Sequence, residues 1–133
     1  MTRLLACIIA LAVSAASAHA LRVTDDRGVA VTLEHPAERI VTLAPNLAEI
    51  AFAVGAGAKL VGVSSYSDFP PEARRLPVVA SYGRVDFERL IALRPQLVLA
   101  WQSGNPVLHV ERLERLGFRV VVTEAHRLAA ALA

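Results

Sequence analysis

One stretch narrows the fold more than any other: Val61-Gly62-Val63-Ser64-Ser65-Tyr66-Ser67-Asp68-Phe69-Pro70-Pro71. It reads as a short buried strand that runs into an exposed, aromatic-bearing turn. The paired prolines that follow suit the first turn of a helix but not its interior. In an open α/β sheet, ligands bind where strands end in loops of this kind. The chain repeats the arrangement. Arg39-Ile40-Val41-Thr42-Leu43 reads as a continuous rather than alternating strand, as expected of one covered on both faces.

Read in order, residues 22–33 alternate around Asp-Arg-Gly and predict a β-hairpin. After the Arg39 strand, Asn46 with Glu49 three residues on has capping-box spacing, and an apolar helix over 47–54 stops at Gly55. Strands follow at 60–63, 77–79, 97–100 and 119–122. Between them come helical turns at 70–75, an Asp86-capped helix to Leu93 and an amphipathic helix at 106–116 with Val107, Val110, Leu113 and Leu116 on one face. This alternation predicts an α/β fold, a parallel-sheet lobe with flanking helices, preceded by a β-hairpin.

Residues 1–20 read as a secretory signal. Arg3 opens it, residues 4–13 are apolar but too short to span a bilayer, and Ala18-His19-Ala20 is a cleavage signal. Export to the periplasm with cleavage after Ala20 is therefore expected. The rival is a lipobox at Leu4-Leu5-Ala6-Cys7, whose cysteine opens the apolar run instead of closing it. Cys7 is the single cysteine, so the processed chain has no disulfide and relies on its core. Its basic and acidic residues nearly balance and the basic ones are scattered, which argues against a nucleic-acid stripe.

Both tyrosines and the one tryptophan fall just after expected strands, in Ser64-Ser65-Tyr66, Ala80-Ser81-Tyr82-Gly83 and Trp101-Gln102-Ser103-Gly104-Asn105. Gathered on one rim, such rings make a platform for a large flat ligand, or simply pack a domain edge. The four phenylalanines read as core or helix residues. Gly55-Ala56-Gly57-Ala58-Lys59 follows a helix and precedes a strand, the wrong order for a phosphate loop. His35, His109 and His126 have no ligand spacing, so no metal is expected. No nucleophile, base and acid assemble into a catalytic set, and Asp68 reads as a cap for the Pro70 turn. Glu88, in the first turn of the Asp86 helix, either stabilises the helix dipole or presents a charge to a basic partner.

At these residues the chain resembles the periplasmic substrate-binding proteins that serve ABC importers of cobalamin and ferric siderophores. The likeness rests on Arg39-Ile40-Val41-Thr42-Leu43-Ala44-Pro45-Asn46-Leu47-Ala48-Glu49, the 61–70 run, Phe87-Glu88-Arg89-Leu90-Ile91-Ala92-Leu93-Arg94-Pro95-Gln96-Leu97-Val98, and Leu116-Gly117-Phe118-Arg119-Val120. The Ser-Ser-Tyr-Ser-Asp-Phe-Pro-Pro run and Ala100-Trp101 before Gly104-Asn105 are most similar to the cobalamin-binding members.

That resemblance implies a non-enzymatic transport component with no cofactor of its own. Ser65, Tyr66, Tyr82, Trp101 and Asn105 would line the cobalamin (vitamin B12) site, and Glu88 would dock onto the permease. It also implies one half of a two-lobed protein with a helical backbone: residues 21–133 as the N-terminal lobe, 127–132 beginning the connecting helix, and the second lobe absent. Three departures stand out. Tyr82 replaces an expected tryptophan, Gln96 replaces an aspartate, and Arg84 adds a positive charge that would suit an anionic siderophore or haem. A small exported α/β hydrolase using Asp68 and a neighbouring serine is the alternative of another class.

Overall fold

The computed structural model describes residues 20–81 and 83–124. The leader, Tyr82, His126 and the connecting helix expected over 127–132 lie outside the described residues. The chain begins with an antiparallel hairpin, β1 (Leu21–Thr24) and β2 (Ala30–Leu33). Then come β3 (Ile40–Thr42), α1 (Pro45–Ala53), β4 (Leu60–Ser64), a 3-10 turn (Pro71–Arg75), β5 (Val78–Ser81), β6 (Arg84–Val85), α2 (Phe87–Leu93), β7 (Leu97–Trp101), α3 (Val107–Arg115) and β8 (Val120–Thr123).

The main sheet has six strands in the order β6-β5-β4-β3-β7-β8. All its pairings are parallel except β5 with β6. β6 is a two-residue antiparallel return through the turn at Gly83, too short to leave a pattern in the sequence. Ala48 and Ala51 of α1 bury one face of the sheet with Ile40, Leu60 and Val63. Leu90 of α2 and Val110 and Leu113 of α3 bury the other with Val41, Val79, Val98 and Val120. Gly62 gives α2 its close approach, since a Cβ there would lie 2.9 Å from Leu93 Cδ1. No helix among the described residues is long and apolar enough to cross a membrane.

Three local expectations are corrected. The first turn of α1 is capped by Ala44 with Pro45 at its start and no side-chain cap, so Asn46 is inside the helix. The turn after Asp68 likewise starts at Pro71 with no side-chain cap. On α3, Val110 and Leu113 are buried but Val107 and Leu116 are exposed, standing at the first residue and the C-cap of the helix. The Asp86 cap is as expected: its carboxylate accepts from the Arg89 N–H at 3.0 Å.

The hairpin is clasped to β8 through Asp25. Its buried carboxylate accepts from the backbone N–H groups of Arg27 (3.0 Å), Val29 (3.1 Å) and Val122 (3.2 Å), and pairs with the Arg27 guanidinium at 2.7 Å. Burial alone would push this carboxyl up. The bonds from Arg27 and the three N–H groups outweigh it and hold the group below its usual value. Burial likewise pulls Arg27 down, but its bonds to Asp25 and Glu114 raise it above the ordinary arginine value. Asp26 adds an N–H bond to the Val122 carbonyl at 3.0 Å. The outer edge of β8 is thus occupied by the hairpin turn rather than left open.

At the other end of the sheet, Gln96 Oε1 accepts from the N–H groups of Glu38 (2.6 Å) and Arg39 (3.3 Å). An aspartate oxygen could serve the same donors, so the exchange of an aspartate for Gln96 keeps the acceptor chemistry.

Candidate functional site

The sheet's order reverses at β3. From β3 the chain moves through α1 on one face to β4. From β7, its other neighbour, it moves through α3 on the opposite face to β8. The loops leaving β3 and β7 therefore diverge and open a crevice at the carboxyl edge, where open α/β sheets take ligands. An open depression of about 190 Å³ lies there, lined by the ends of β3, β4, β5 and β7. Ser65, Tyr66, Trp101 and Asn105 all line it. Tyr82 lies outside the described residues, although its neighbours Ser81 and Gly83 border the same depression.

Tyr66 is carried on a tight turn. The Ser65 N–H donates to the Ala80 carbonyl at 2.7 Å, which ends β4 against β5. The Ser67 N–H then folds back to the Ser64 carbonyl at 3.3 Å, and the two buried hydroxyls of Ser64 and Ser67 lie 3.3 Å apart. Between them Tyr66 has φ of 65°, a conformation rare for a bulky residue, and its side chain is 63% exposed. Such a strained backbone on a loop that lines the depression points to a functional constraint.

Trp101 closes β7. Its indole Nε1–H donates to Glu124 Oε1 at 3.1 Å, and Ser103 Oγ donates to the other oxygen of the same carboxylate. Gly104 packs on the six-membered part of the ring, since a Cβ there would stand 2.2 Å from Cε3. The indole is thus held at its edge by Glu124 and at its six-membered part by Gly104.

Asn105 works across the crevice. Its Oδ1 accepts from the Trp101 N–H at 2.7 Å and its Nδ2 donates to the Leu43 carbonyl at 3.0 Å. The amide ties the end of β7 to the end of β3, which keeps the crevice floor closed while the loops above it part.

Arg84 is exposed on the rim and is the charged side chain among the described lining residues. Among the described lining residues none is a histidine or a carboxylate. The hydrolase alternative fares poorly on the same ground: Asp68 does not line the depression, and the Ser64 hydroxyl faces Ser67 rather than a base. Among the described residues, no three His, Cys, Asp or Glu side chains could hold a metal. Glu88 is exposed in the first turn of α2 and does not line the depression.

Two features escape sequence reasoning. Phe69, expected as a core or helix residue, is 65% exposed, because it sits in the loop beyond the end of β4. Glu124 could have been noticed only as the first polar residue after the last strand; its bond to Trp101 joins residues 23 positions apart.

Residues 40–125 match the family model described as periplasmic binding protein. The vitamin B12-binding protein of Vibrio vulnificus (strain YJ016) is 43% identical over 93 residues, 70% of this chain and 34% of that protein. The crystal structure of the periplasmic vitamin B12-binding protein BtuF of Vibrio cholerae matches with TM-score 0.63 and 47% identity, over 65% of this chain and 34% of that one. A periplasmic heme-binding protein from Pseudomonas aeruginosa matches with TM-score 0.62 and 31% identity, over 67% and 32% of the two chains. The chain spans about a third of the length of the curated relatives it matches. The match over residues 40–125, more than half of the chain, places it in the periplasmic binding protein family.

Proposed function

We propose that this chain supplies one wall of a cobalamin site in a periplasmic protein that hands vitamin B12 to an ABC importer and catalyses no reaction. The observation that carries the reading is the meeting of Tyr66 and Trp101 at one depression on the switch-point edge. The chain in which they meet is 43% identical to a protein named for binding vitamin B12. A shallow hollow of about 190 Å³ is smaller than an enclosing ligand pocket, so it suits one face of a large flat ligand. On this reading residues 21–133 act as the N-terminal lobe and a second wall covers the ligand's other face. Ser65, Tyr82 and Asn105 border the ligand beside the two rings. Export follows cleavage after Ala20, and Glu88 docks to arginine on the permease through its exposed carboxylate.

A second reading within the family has one observation in its favour. Arg84 on the rim would meet the carboxylates of haem or of an anionic siderophore, and a heme-binding protein is among the structural relatives.

Calorimetric titration of the purified chain with cyanocobalamin and, separately, with haem tests both. Saturable cobalamin binding that weakens in Trp101→Ala and persists in Arg84→Gln supports the first reading. Haem binding that is lost in Arg84→Gln, with no heat from cobalamin, would replace it with the second.

A further inference from the structure

We propose that Glu124 is a positioning residue for the Trp101 indole, and that the hairpin turn sets it through Asp26. This rests on the reading of Trp101 as a ligand contact. Trp101 Nε1–H donates to Glu124 Oε1 at 3.1 Å, and Ser103 Oγ donates to the second oxygen. A carboxylate suits this place because it has two acceptor oxygens and no donor, so it can serve both groups at once.

Glu124 is itself located from the far side. Its backbone N–H donates to Asp26 Oδ2 at 2.6 Å, and the Asp26 N–H donates to the Val122 carbonyl at 3.0 Å. The Gln102 N–H donates to the Thr123 carbonyl at 2.9 Å, which extends the pairing of β7 with β8 to the base of the Trp101 loop. A continuous path of hydrogen bonds therefore runs from the β1–β2 turn through Glu124 to the ring edge. The Gly104 backbone limits the ring elsewhere, at its six-membered part.

The consequence is preorganisation. An indole free to turn about its side-chain bonds must be ordered when a ligand arrives, and that ordering weakens binding. Pinned at Nε1, the ring meets the ligand already oriented. The hairpin lies away from the depression and does not line it, yet it helps hold the ring. The functional residues thus extend beyond the pocket to Asp26 and Glu124.

The test uses the chain's single tryptophan as its own reporter. Emission maximum and acrylamide quenching are recorded on the ligand-free wild type, Glu124→Ala, Glu124→Gln, Ser103→Ala and Asp26→Ala, each checked for folding by circular dichroism. Cyanocobalamin affinity is then measured by calorimetry. Glu124→Ala is expected to raise quenching and to weaken binding about five- to tenfold, the loss of one positioning hydrogen bond. Glu124→Gln keeps an acceptor and falls between it and the wild type. Asp26→Ala shifts the same signal without touching the ring. Ser103→Ala, which removes only the second bond, is the milder check should Glu124→Ala fail to fold. Unchanged emission and quenching in folded Glu124→Ala, or in folded Ser103→Ala and Asp26→Ala together, would overturn the proposal. A shifted fluorescence in protein whose wild type binds no cobalamin would uphold the positioning of the ring and place the failure with the reading that this single wall binds cobalamin.

Discussion

Asn105 donates to the Leu43 carbonyl at 3.0 Å, a bond between residues 62 positions apart in the chain. Its Oδ1 holds the Trp101 N–H at 2.7 Å, so a single side chain closes the gap where β3 and β7 send their chains to opposite faces. Asn105→Ala leaves a half-buried donor and a half-buried acceptor unmet. The expected cost is about 1–3 kcal/mol, read as a lower denaturant midpoint. Asn105→Asp keeps the acceptor but loses the donor to Leu43, and should cost at least as much near neutral pH. A midpoint unchanged in both variants would show that the amide carries no structural load.

Much of this architecture is legible in the sequence, and the residues show why the rest is not. Leu97 to Ala100 is wholly apolar and Ile40 to Leu43 is broken only by Thr42, without the alternation of a half-exposed strand, which identifies strands covered on both faces. Asp86 before Phe87 announces its helix because capping is local, within three residues. The Asp25 clasp escapes because the Val122 N–H it accepts from is 97 residues away. Asn46 misleads for a different reason: Pro45 at the first helical position moves the cap to Ala44. The aromatic rim was readable since Tyr66 and Trp101 mark strand ends. The groups holding them, Gly104 and Glu124, announce themselves only through packing.

The Asp25 clasp should make the fold sensitive to acid. Its carboxyl titrates lower in the folded chain than in the unfolded one, because Arg27 and three N–H groups favour the charged form against the opposing effect of burial. The unfolded chain then binds the proton more readily, so stability is full above the unfolded value of about 3.9 and falls as pH drops through the folded value. Asp25→Asn removes this dependence and lowers stability at neutral pH. Urea melts between pH 3 and pH 7, a window of about that span around the carboxylate range, should show a shallower acid limb in the variant. Parallel acid limbs would assign the sensitivity to other carboxylates.

Helix α3 offers a contrast between two positions on one sequence stripe. Leu113 is fully buried between α3 and the sheet, whereas Val107 is 66% exposed. Leu113→Ala opens a cavity under β8 and should cost about 2–5 kcal/mol, while Val107→Ala should stay within about 0.5 kcal/mol. Thermal melts of the two variants decide it. Equal losses would mean that the whole stripe is buried.

On the proposed reading, Tyr66 sets stability against binding. At φ of 65° its backbone sits in the left-handed region, where a Cβ is crowded and glycine is not. Tyr66→Ala and Tyr66→Gly both remove the ring, so both should weaken cobalamin binding to a similar degree. They differ in the backbone: alanine keeps the Cβ at a positive φ and glycine does not. Tyr66→Gly is therefore expected to be more stable than Tyr66→Ala by about 1 kcal/mol, measured by urea denaturation. The comparison separates the two roles of the residue, since affinity follows the ring and stability follows the Cβ. Equal stability of the two variants would show that the turn relaxes once the ring is gone, which would make the ring itself, and not the Ser64–Ser67 turn, the source of the strained geometry.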